Sequence, residues 1–282
     1  MLFKNAMSYK AKINQIAKQR GLEARQIQHC YLIEAFLVKL SLSRFKDNFI
    51  IKGGYLIGSV VGLGNRTTID LDVTVKRFSL TLESISEIIK EIIMIPSEES
   101  FKFDLININE IRKKDEYKGF EIKLCAQFEK VKENVSIDIT TGDIIIPGEV
   151  IHEFDKVFDE RKLNLLTYPI ETIFAEKVDA ILSRGSLSTR PRDYYDVYIL
   201  FKLDEYKINY TLLTKAIKNT MEHRKSLHKL DEYNKILQNI VDSEFQINQW
   251  NKYQKQYNYA KNLSLEDVMK SVKTLLNRVL DI

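Results

Sequence analysis

The sequence predicts an α/β protein with a mixed or antiparallel sheet in its first half and helices alone in its second half. Segments with β-branched or alternating apolar residues lie between residues 49 and 140. From Pro169 onward, the long segments instead place apolar residues at helical spacing. We therefore expect a domain boundary near residues 160–168, which gives one domain of residues 1–165 and a helical domain of residues 166–282.

The first half begins with a helix and a short strand that leads into glycines. Residues 22–46 have mostly apolar side chains at helical spacing, and NFIIK follows as a strand. Five of the ten glycines fall in the stretch from Gly53 to Gly64, around the segment YLIGSVVGL, which is predicted as a short helix or turn. Because the chain uses glycine sparingly elsewhere, we expect a backbone conformation there that requires it.

The following segments complete the predicted sheet. IDLDVTV is rich in β-branched residues, and residues 81–95 form an amphipathic helix that ends at Pro96. Three more strands are predicted, at residues 103–112, at residues 119–129 and in VSIDIT. Since these strands are separated by few residues, we expect them to pair antiparallel, because parallel pairing needs a longer crossover.

The second half contains five helical segments whose apolar residues recur every three or four positions. They are IETIFAEKVDAILSR, RDYYDVYILFK, YTLLTKAIKNTMEH, LDEYNKILQNIV and LEDVMKSVKTLLNRVL. A further segment, WNKYQKQYNYAK, interleaves aromatic residues with lysines. It could stack RNA bases on its rings. However, Trp250, Tyr253 and Tyr257 share helical spacing, which favours a packed helix face instead.

The composition excludes several classes of protein. The 282 residues are 44% hydrophobic and carry a net charge of +4, which permits a polyanionic partner without requiring one. No apolar run reaches the roughly 18 residues of a membrane span, and the first residues do not resemble a secretory signal. Cys30 and Cys125 match no metal spacing and are interpreted as buried free thiols. We expect a cytoplasmic monomer that has no membrane partner.

Three aspartates are predicted to converge on one patch of the sheet. Side chains alternate between the faces of a strand, so Asp70 and Asp72 share one face while Ile69, Leu71, Val73 and Val75 share the other. In VSIDIT, the same alternation places Asp138 on one face of the strand and the apolar side chains on the other face. If the two strands are neighbours in one antiparallel sheet, three carboxylates can meet.

Converging carboxylates beside glycines suit a metal and nucleotide site. Mg²⁺ prefers oxygen ligands and is often completed by substrate phosphates, and backbone N–H groups at the start of a helix bind phosphate. The glycines are not a Walker A loop, because GxxxxGK[ST] is absent. A D-x-D pair alone more often marks an exposed sheet face. The conjunction of the glycines, Arg66, D-x-D and a third aspartate favours the metal–nucleotide interpretation.

These segments resemble a known family. KGGYLIGSVVGLGNRTTIDLDVTV resembles the polymerase-β-like nucleotidyltransferase signature, in which a glycine pair precedes Asp-x-Asp. Together with AEKVDAILSR and RPRDYYDVYIL, it is similar to the AbiEii/AbiGii toxin family, whose members are toxins of bacterial toxin–antitoxin and phage abortive-infection systems. The resemblance covers most of residues 50–200 and implies a polymerase-β-like nucleotidyltransferase domain followed by a helical domain.

The resemblance implies roles for residues of the first half. Gly53 and Gly54 would form the phosphate-facing turn, and Gly58 with Ser59 is an alternative at a spacing that also suits the superfamily. The metal ions would be held by three carboxylates, those of Asp70, Asp72 and Asp138. The nucleotide site would be lined by two further residues, Arg66 and Thr68.

The resemblance also implies roles for residues of the helical half. Lys177, in AEKVDA, would contact the triphosphate, and Asp193 or Asp196, in RDYYD, would complete the catalytic motif. From helical spacing alone, Lys177 lies at the edge of a buried stripe, where a lysine is usually only solvated.

The function implied is the transfer of a nucleoside monophosphate from an NTP to RNA, with the 3′ end of tRNA as the favoured acceptor. The reaction would depend on Mg²⁺ or Mn²⁺, and a separate antitoxin protein or its gene product would be the partner. Two alternatives remain open. One is a nucleotidyltransferase that modifies a small molecule such as an antibiotic, and the other is a non-catalytic nucleotide-binding module that acts by holding a protein partner.

Overall fold

The structure of the chain is a computed structural model that describes residues 3–111, 119–204 and 208–281. Two compact units divide the chain, one formed by Met1–Asp143 and Val150–Thr167, the other by Ile144–Glu149 and Tyr168–Ile282. None of the helices in the described residues is long and apolar enough to cross a membrane. Each unit has its own core and is described by itself below.

The first unit is built around a mixed sheet. Its seven strands in the described residues are β1 (Phe49–Lys52), β2 (Asp70–Val75), β3 (Lys102–Ile111), β4 (Gly119–Phe128), β5 (Val131–Thr140), β6 (Val150–Asp155) and β7 (Lys162–Thr167). Their order in the sheet is β3-β4-β5-β2-β1-β7-β6. The mixed α/β fold predicted from the sequence is thereby confirmed.

Most neighbouring strands are antiparallel, as expected for short connections, but two pairs are parallel. These parallel pairs are β2 with β5 and β1 with β7. The expectation of an antiparallel arrangement was therefore wrong for β2 and β5. The chain between these strands includes a helix and a β-hairpin, which is long enough for the crossover that parallel pairing requires.

Four helices accompany the sheet in the described part of the first unit. They are α1 (Ala6–Arg20), α2 (Ala24–Leu42), α3 (Gly53–Val61) and α4 (Leu82–Met94). Helix α2 packs against β2, β5 and β7 and is apolar around most of its surface, with Leu32, Ile33 and Phe36 fully buried. Thr81 begins α4 with a capping box in which its side chain accepts from the Ser84 N–H group.

The second unit is helical in its described residues. Its α-helices are α5 (Ile170–Arg184), α6 (Pro191–Asp204), α7 (Tyr210–His223), α8 (Tyr233–Val241), α9 (Glu244–Gln256) and α10 (Leu265–Leu280). The five helices predicted from helical spacing are confirmed, and α9 covers most of WNKYQKQYNYAK. Helix α5 packs against α6 and α7, and α10 packs against α6, α7 and α8.

Helix α1 and strands β6 and β7 were not predicted from the sequence. Strand β6 lies at the edge of the sheet and exposes Val150 and Ile151, so its pattern of apolar residues does not indicate a buried face. Two smaller expectations also need correction. Ile69 precedes β2 and is 57% exposed instead of packing with Leu71, and Cys125 is half-buried, whereas Cys30 is buried as expected.

Candidate active site

The three aspartates of the sheet lie on one face of two adjacent strands. Asp72 on β2 is directly opposite Asp138 on β5, and Asp70 is directly opposite Ser136. All three carboxylate residues are half-buried, whereas Leu71 on the other face of β2 is completely buried. Since residues opposite each other in adjacent strands point to the same side, the parallel pairing still brings Asp138 beside the D-x-D pair.

The glycine turn lies against this acidic face. Lys52, at the end of β1, is opposite Asp72, and Gly53 begins α3 with a left-handed φ of +66°. A Cβ atom at Gly53 would collide with the Asp72 carboxylate, 2.6 Å from its Cγ atom. Only glycine can combine this backbone conformation with so close an approach to a carboxylate. The turn therefore presents the N-terminus of a helix beside the acidic side chains.

The residues between the turn and β2 pack beneath the second glycine. A Cβ atom at Gly54 would lie 3.0 Å from Thr68 Oγ1 and 3.0 Å from an Arg66 side-chain nitrogen. The Thr68 hydroxyl donates to Asp70 Oδ1 over 3.2 Å, which orients that carboxylate. Arg66 is only 4% exposed and donates to the Thr67 carbonyl. Arg66 and Thr68 thus connect the glycine turn to the aspartate strand.

The alternative glycine pair has a different environment. Gly58 lies inside α3, where a Cβ atom would be 2.7 Å from the carbonyl oxygen of Arg66. The Ser59 hydroxyl is 2.8 Å from Nε2 of His152 on β6. Burial lowers the pKa of His152, so its neutral form is favoured. Gly58 and Ser59 therefore pack α3 against the rest of the first unit, while Gly53 and Gly54 approach the carboxylates.

A buried ion pair at the end of β1 was not predicted from the sequence. Lys52 Nζ contacts Asp143 Oδ2, and both side chains are almost entirely buried. The Thr140 hydroxyl, at the end of β5, donates to the same Asp143 carboxylate over 3.1 Å. A lysine immediately before the glycines was the available signal, but its partner lies 91 positions away in the sequence.

The family motifs of the second unit converge on a buried ion cluster. Lys177 Nζ on α5 is 2.8 Å from Asp193 Oδ1 and 2.9 Å from Asp196 Oδ2, both on α6. Two arginines approach the other oxygen of Asp193, Arg184 at 3.4 Å and Arg190 at 3.2 Å. The interpretation of Lys177 as a solvated residue at a stripe edge was wrong, because only 9% of this residue is exposed.

The charge of Lys177 is maintained by these carboxylates. Burial acts to lower the pKa of Lys177, but the negative charges and hydrogen bonds of Asp193 and Asp196 outweigh it and raise that pKa overall. Asp193 and Asp196 have 2% and 0% of their side chains exposed. The cluster is therefore a desolvated group of mutually compensating charges, unlike the half-buried acids of β2 and β5.

The carboxylates of the first unit suit a hard divalent cation. Among the described residues, no group of three or more histidine, cysteine, aspartate or glutamate side chains is arranged to enclose a metal ion. Mg²⁺, however, is usually bound in proteins by one or two carboxylates, with waters and substrate phosphates completing its octahedron. Asp72 and Asp138, opposite each other and close to the glycine turn, supply the oxygen donors that such an ion requires.

The fold is that of the nucleotidyltransferases. It is similar to the crystal structure of JHP933 from Helicobacter pylori, with a TM-score of 0.56 and 17% identity over 92% of this chain and 94% of that chain. A second H. pylori structure, described as a candidate nucleotidyltransferase, has a TM-score of 0.51 and 17% identity, covering 92% of this chain and 96% of that one. None of the curated proteins compared with the chain matches it.

The family is established by the sequence. Residues 35–278 match the family described as nucleotidyl transferase AbiEii toxin, type IV toxin–antitoxin system. Because the match spans most of the chain, this protein belongs to the AbiEii family of toxin–antitoxin nucleotidyltransferases. The matched range includes both the glycine turn with its acidic face and the buried ion cluster of the second unit.

Proposed function

We propose that this protein is a metal-dependent toxin that transfers a nucleoside monophosphate from an NTP to RNA. One observation carries the proposal: the Gly53 turn lies against Asp72, which in turn is directly opposite Asp138. A helix N-terminus that binds phosphate and carboxylates that bind a divalent cation are thus adjacent. Membership of the AbiEii family supports the same chemistry.

The glycine turn is proposed to bind the triphosphate. Backbone N–H groups at the start of α3 carry partial positive charge and, at Gly53 and Gly54, have no side chain to obstruct a phosphate. The Ser59 alternative is less favourable, since its hydroxyl is within hydrogen-bonding distance of His152. We therefore assign the phosphate-facing role to the first glycine pair and a packing role to the second.

The three aspartates are proposed to hold and orient the reacting groups. Asp70 and Asp72, with Asp138, would hold Mg²⁺ or Mn²⁺, which supplies Lewis-acid charge at the α-phosphate when it is bound. The acceptor hydroxyl attacks the α-phosphorus in line, a new P–O bond forms and the bond to pyrophosphate breaks. Asp138 accepts the proton of the attacking hydroxyl, and Thr68 keeps the Asp70 carboxylate in position through its hydrogen bond.

The ion cluster of the second unit is proposed to provide a fixed positive charge for the nucleotide. An ammonium group has three N–H donors, of which Asp193 and Asp196 account for two in Lys177. The family resemblance implies that this ammonium group contacts the triphosphate, and we retain that role as part of the proposal. Asp193 and Asp196 would then act by holding Lys177 charged and correctly oriented.

The most specific parts of the proposal are the identity of the RNA acceptor and of the protein partner. The resemblance favours the 3′ end of tRNA, which would block its use in translation and arrest growth. An antitoxin encoded by the same system would counteract the toxin, and the cytoplasm is where both would meet the RNA. The antibiotic-modifying alternative needs an acidic pocket for a cationic drug. The net charge of the chain, +4, does not favour such a pocket.

A labelling assay tests the proposed function. The purified protein is incubated with Mg²⁺ and each of the four α-labelled NTPs, against total cellular RNA and, separately, against aminoglycosides. We expect label in RNA of tRNA size, and no label with the Asp72→Asn variant. Label in the aminoglycoside instead would favour the small-molecule enzyme. Nucleotide binding without transfer to either acceptor would favour the non-catalytic module.

A further inference from the structure

The C-terminal part of the second unit contains an unusually amide-rich stretch. Between Glu244 and Glu266 the sequence has no acidic residue, three lysines and eight asparagines or glutamines. Such a composition is neither that of an ordinary charged helix face nor that of an apolar core. Amides can hydrogen-bond to bases, and lysines attract phosphates, so the stretch has the chemistry of a nucleic-acid contact.

The structure forms this stretch into an open groove. Its volume is about 510 Å³, and it is lined by Asn251, Gln254, Lys255, Asn258 and Lys261. Asn251, Gln254 and Lys255 come from α9, Asn258 begins the short 3-10 helix that follows it, and Lys261 comes directly after that 3-10 helix. Within the described part of the chain, every side chain that lines the groove is an amide or a lysine. The groove is therefore complementary in charge to a polyanion.

Hydrogen bonds to the backbone fix the shape of the groove. The Gln254 side chain donates from Nε2 to the carbonyl of Leu263 over 2.7 Å, and it also approaches the carbonyls of Ala260 and Lys261. Trp250 donates from Nε1 to the same Leu263 carbonyl over 2.8 Å. The loop that carries Lys261 is thus held against α9, which preorganises the groove before any ligand binds.

The packed-face interpretation of WNKYQKQYNYAK holds for some of its aromatic residues and not for others. Trp250 and Tyr253 are buried, which confirms a packed helix face. Tyr257 and Tyr259 are only half-buried and stack on each other, with ring centroids 5.3 Å apart and an angle of 22° between their planes. In the sequence this second pair flanks Asn258, which lines the groove, so the exposed part of its rings is a candidate surface for an unstacked base.

The aromatic surface continues to the helix that carries the family's last motif. Tyr259 is 4.8 Å, between ring centroids, from Tyr195 on α6. Tyr195 itself lies between Asp193 and Asp196 in the sequence of that helix. A series of tyrosines in the second unit therefore connects the groove to the element that bears the ion cluster.

We propose that this groove binds a single-stranded segment of the RNA acceptor. Lys255 and Lys261 contact backbone phosphates, Asn251 and Asn258 hydrogen-bond to base edges, and a base stacks on the exposed part of Tyr257. A single strand is required because paired bases offer no face for stacking. The inference rests on the proposed function for the identity of the ligand, but it concerns a binding surface that needs neither NTP nor metal.

Neutralising the two lysines tests the electrostatic part of the proposal. Binding of a fluorescein-labelled single-stranded RNA of about 12 nucleotides, a usual site size, is measured by anisotropy without NTP or divalent metal. For Lys255→Gln/Lys261→Gln, the slope of log K against log salt should fall in magnitude by about 1.4, since each lost phosphate contact on a single strand contributes about 0.7. The matched control is Lys215→Gln/Lys218→Gln, two exposed lysines on α7.

The tyrosine variants separate stacking from folding. Tyr257→Ala should weaken RNA binding at least about fivefold, whereas Tyr257→Phe, which keeps the ring, should bind like the wild type. Thermal unfolding of each variant shows whether the second unit is intact. Duplex RNA of the same sequence should compete poorly with the single strand.

Three results would overturn the proposal that the groove binds single-stranded RNA. They are equal losses of binding in the α7 control, unchanged binding in the groove variants, and equal competition by duplex RNA or by heparin. The labelling assay distinguishes failure of this inference from failure of the proposed function. If the wild type labels RNA while the groove variants bind and label as it does, the transferase stands and the groove is excluded. If the wild type labels no RNA, the proposed function fails whatever the groove binds.

Discussion

Asp72 and Asp196 belong to motifs that the resemblance treats as parts of one catalytic machinery, but they lie in opposite surroundings. Asp72 is half-buried on a sheet face, beside a glycine turn and opposite another aspartate, Asp138. Asp196 is completely buried and 2.9 Å from the ammonium group of Lys177. On the sheet face carboxylates are brought together, whereas in the ion cluster opposite charges compensate one another.

This difference indicates that the aspartates of the sheet face contribute mainly to catalysis, whereas the ion cluster contributes mainly to stability. Adjacent carboxylates repel each other, and a bound divalent cation can offset that repulsion. A buried ion pair is different, because removing one partner leaves the other charged and desolvated, which is strongly destabilising. We therefore expect substitutions on the sheet face to abolish activity in a folded protein, and substitutions in the ion cluster to affect folding first.

The largest expected effect is on activity, from Asp72→Asn. Metal ions supply several kcal/mol of transition-state stabilisation, and each 1.4 kcal/mol is tenfold in rate, so we expect labelling of RNA to fall about a thousandfold. The free energy of unfolding, measured by urea denaturation, should change by no more than about 0.5 kcal/mol. Asp104→Asn, at an exposed position of β3, is the matched control and should leave both quantities unchanged. Loss of stability in Asp72→Asn would remove the contrast between the motifs.

The next effect is on stability, from Lys177→Met. The substitution leaves Asp193 and Asp196 without their shared ammonium group in a desolvated site, so the free energy of unfolding should fall by about 3–5 kcal/mol. Lys215→Met, at an exposed lysine of α7, should cost less than about 0.5 kcal/mol. A Lys177→Met protein as stable as the wild type would show that the cluster is not maintained by charge compensation.

A third acid, Glu34 of α2, sharpens the comparison because it is buried without being held ionised. Burial raises its pKa to about 8, although a 2.6 Å hydrogen bond from the Val157 N–H group and the charge of Lys156 act to lower it. Two other acids, Glu99 and Asp159, add to the increase. The folded protein therefore retains a proton on this carboxyl group at pH values where the unfolded chain has lost it.

The consequence is a stability that depends on pH. Between the ordinary value of 4.5 and about 8, the unfolded state binds fewer protons than the folded state, so the free energy of unfolding falls as pH rises and levels off above that range. The slope attributable to this group is about 1.4 kcal/mol per pH unit. Glu34→Gln keeps an oxygen to accept from Val157 and should remove that slope. Urea denaturation at several pH values measures it, and an unchanged slope in Glu34→Gln would assign the dependence to other groups.

A smaller effect is expected from disturbing the acidic face without changing its charge. Gly53→Ala introduces a Cβ atom that would collide with the Asp72 carboxylate, and its backbone has a φ of +66°, where a non-glycine residue costs about 1–2 kcal/mol. We expect that loss in unfolding free energy together with reduced RNA labelling. Gly64→Ala is the control, since a Cβ atom there meets nothing within 4 Å. Equal effects of the two substitutions would exclude a special role for the turn.

Features that depend on short-range periodicity were predictable from the sequence. The shared face of Asp70 and Asp72 follows from the alternation of a strand, and the position of the glycine-led helix follows from five closely spaced glycines in a glycine-poor chain. The long amphipathic helices of the second unit, such as α5 and α10, follow from helical spacing. In each of these cases the decisive interactions join residues close in sequence.

Features that depend on distant partners were not predictable. Lys177 has the sequence context of a solvated residue, and it is buried because α6 supplies two carboxylates from 16 and 19 positions away. Lys52 is similarly paired with Asp143 across the sheet. The parallel pairing of β2 with β5 and the edge strand β6 are also properties of the whole sheet, and no local pattern specifies them.

The smallest expected effect comes from Ser59→Ala, and it decides between the two glycine pairs. The substitution removes a hydrogen bond to His152, so we expect the free energy of unfolding to fall by about 1 kcal/mol. Labelling of RNA should stay within about twofold of the wild type, because the Gly53 turn, and not Ser59, faces Asp72. Thr68→Ala is the informative comparison, since it removes a hydroxyl that donates to Asp70 and should reduce labelling. A large loss of activity in Ser59→Ala with Thr68→Ala unaffected would transfer the phosphate-binding role to Gly58 and Ser59.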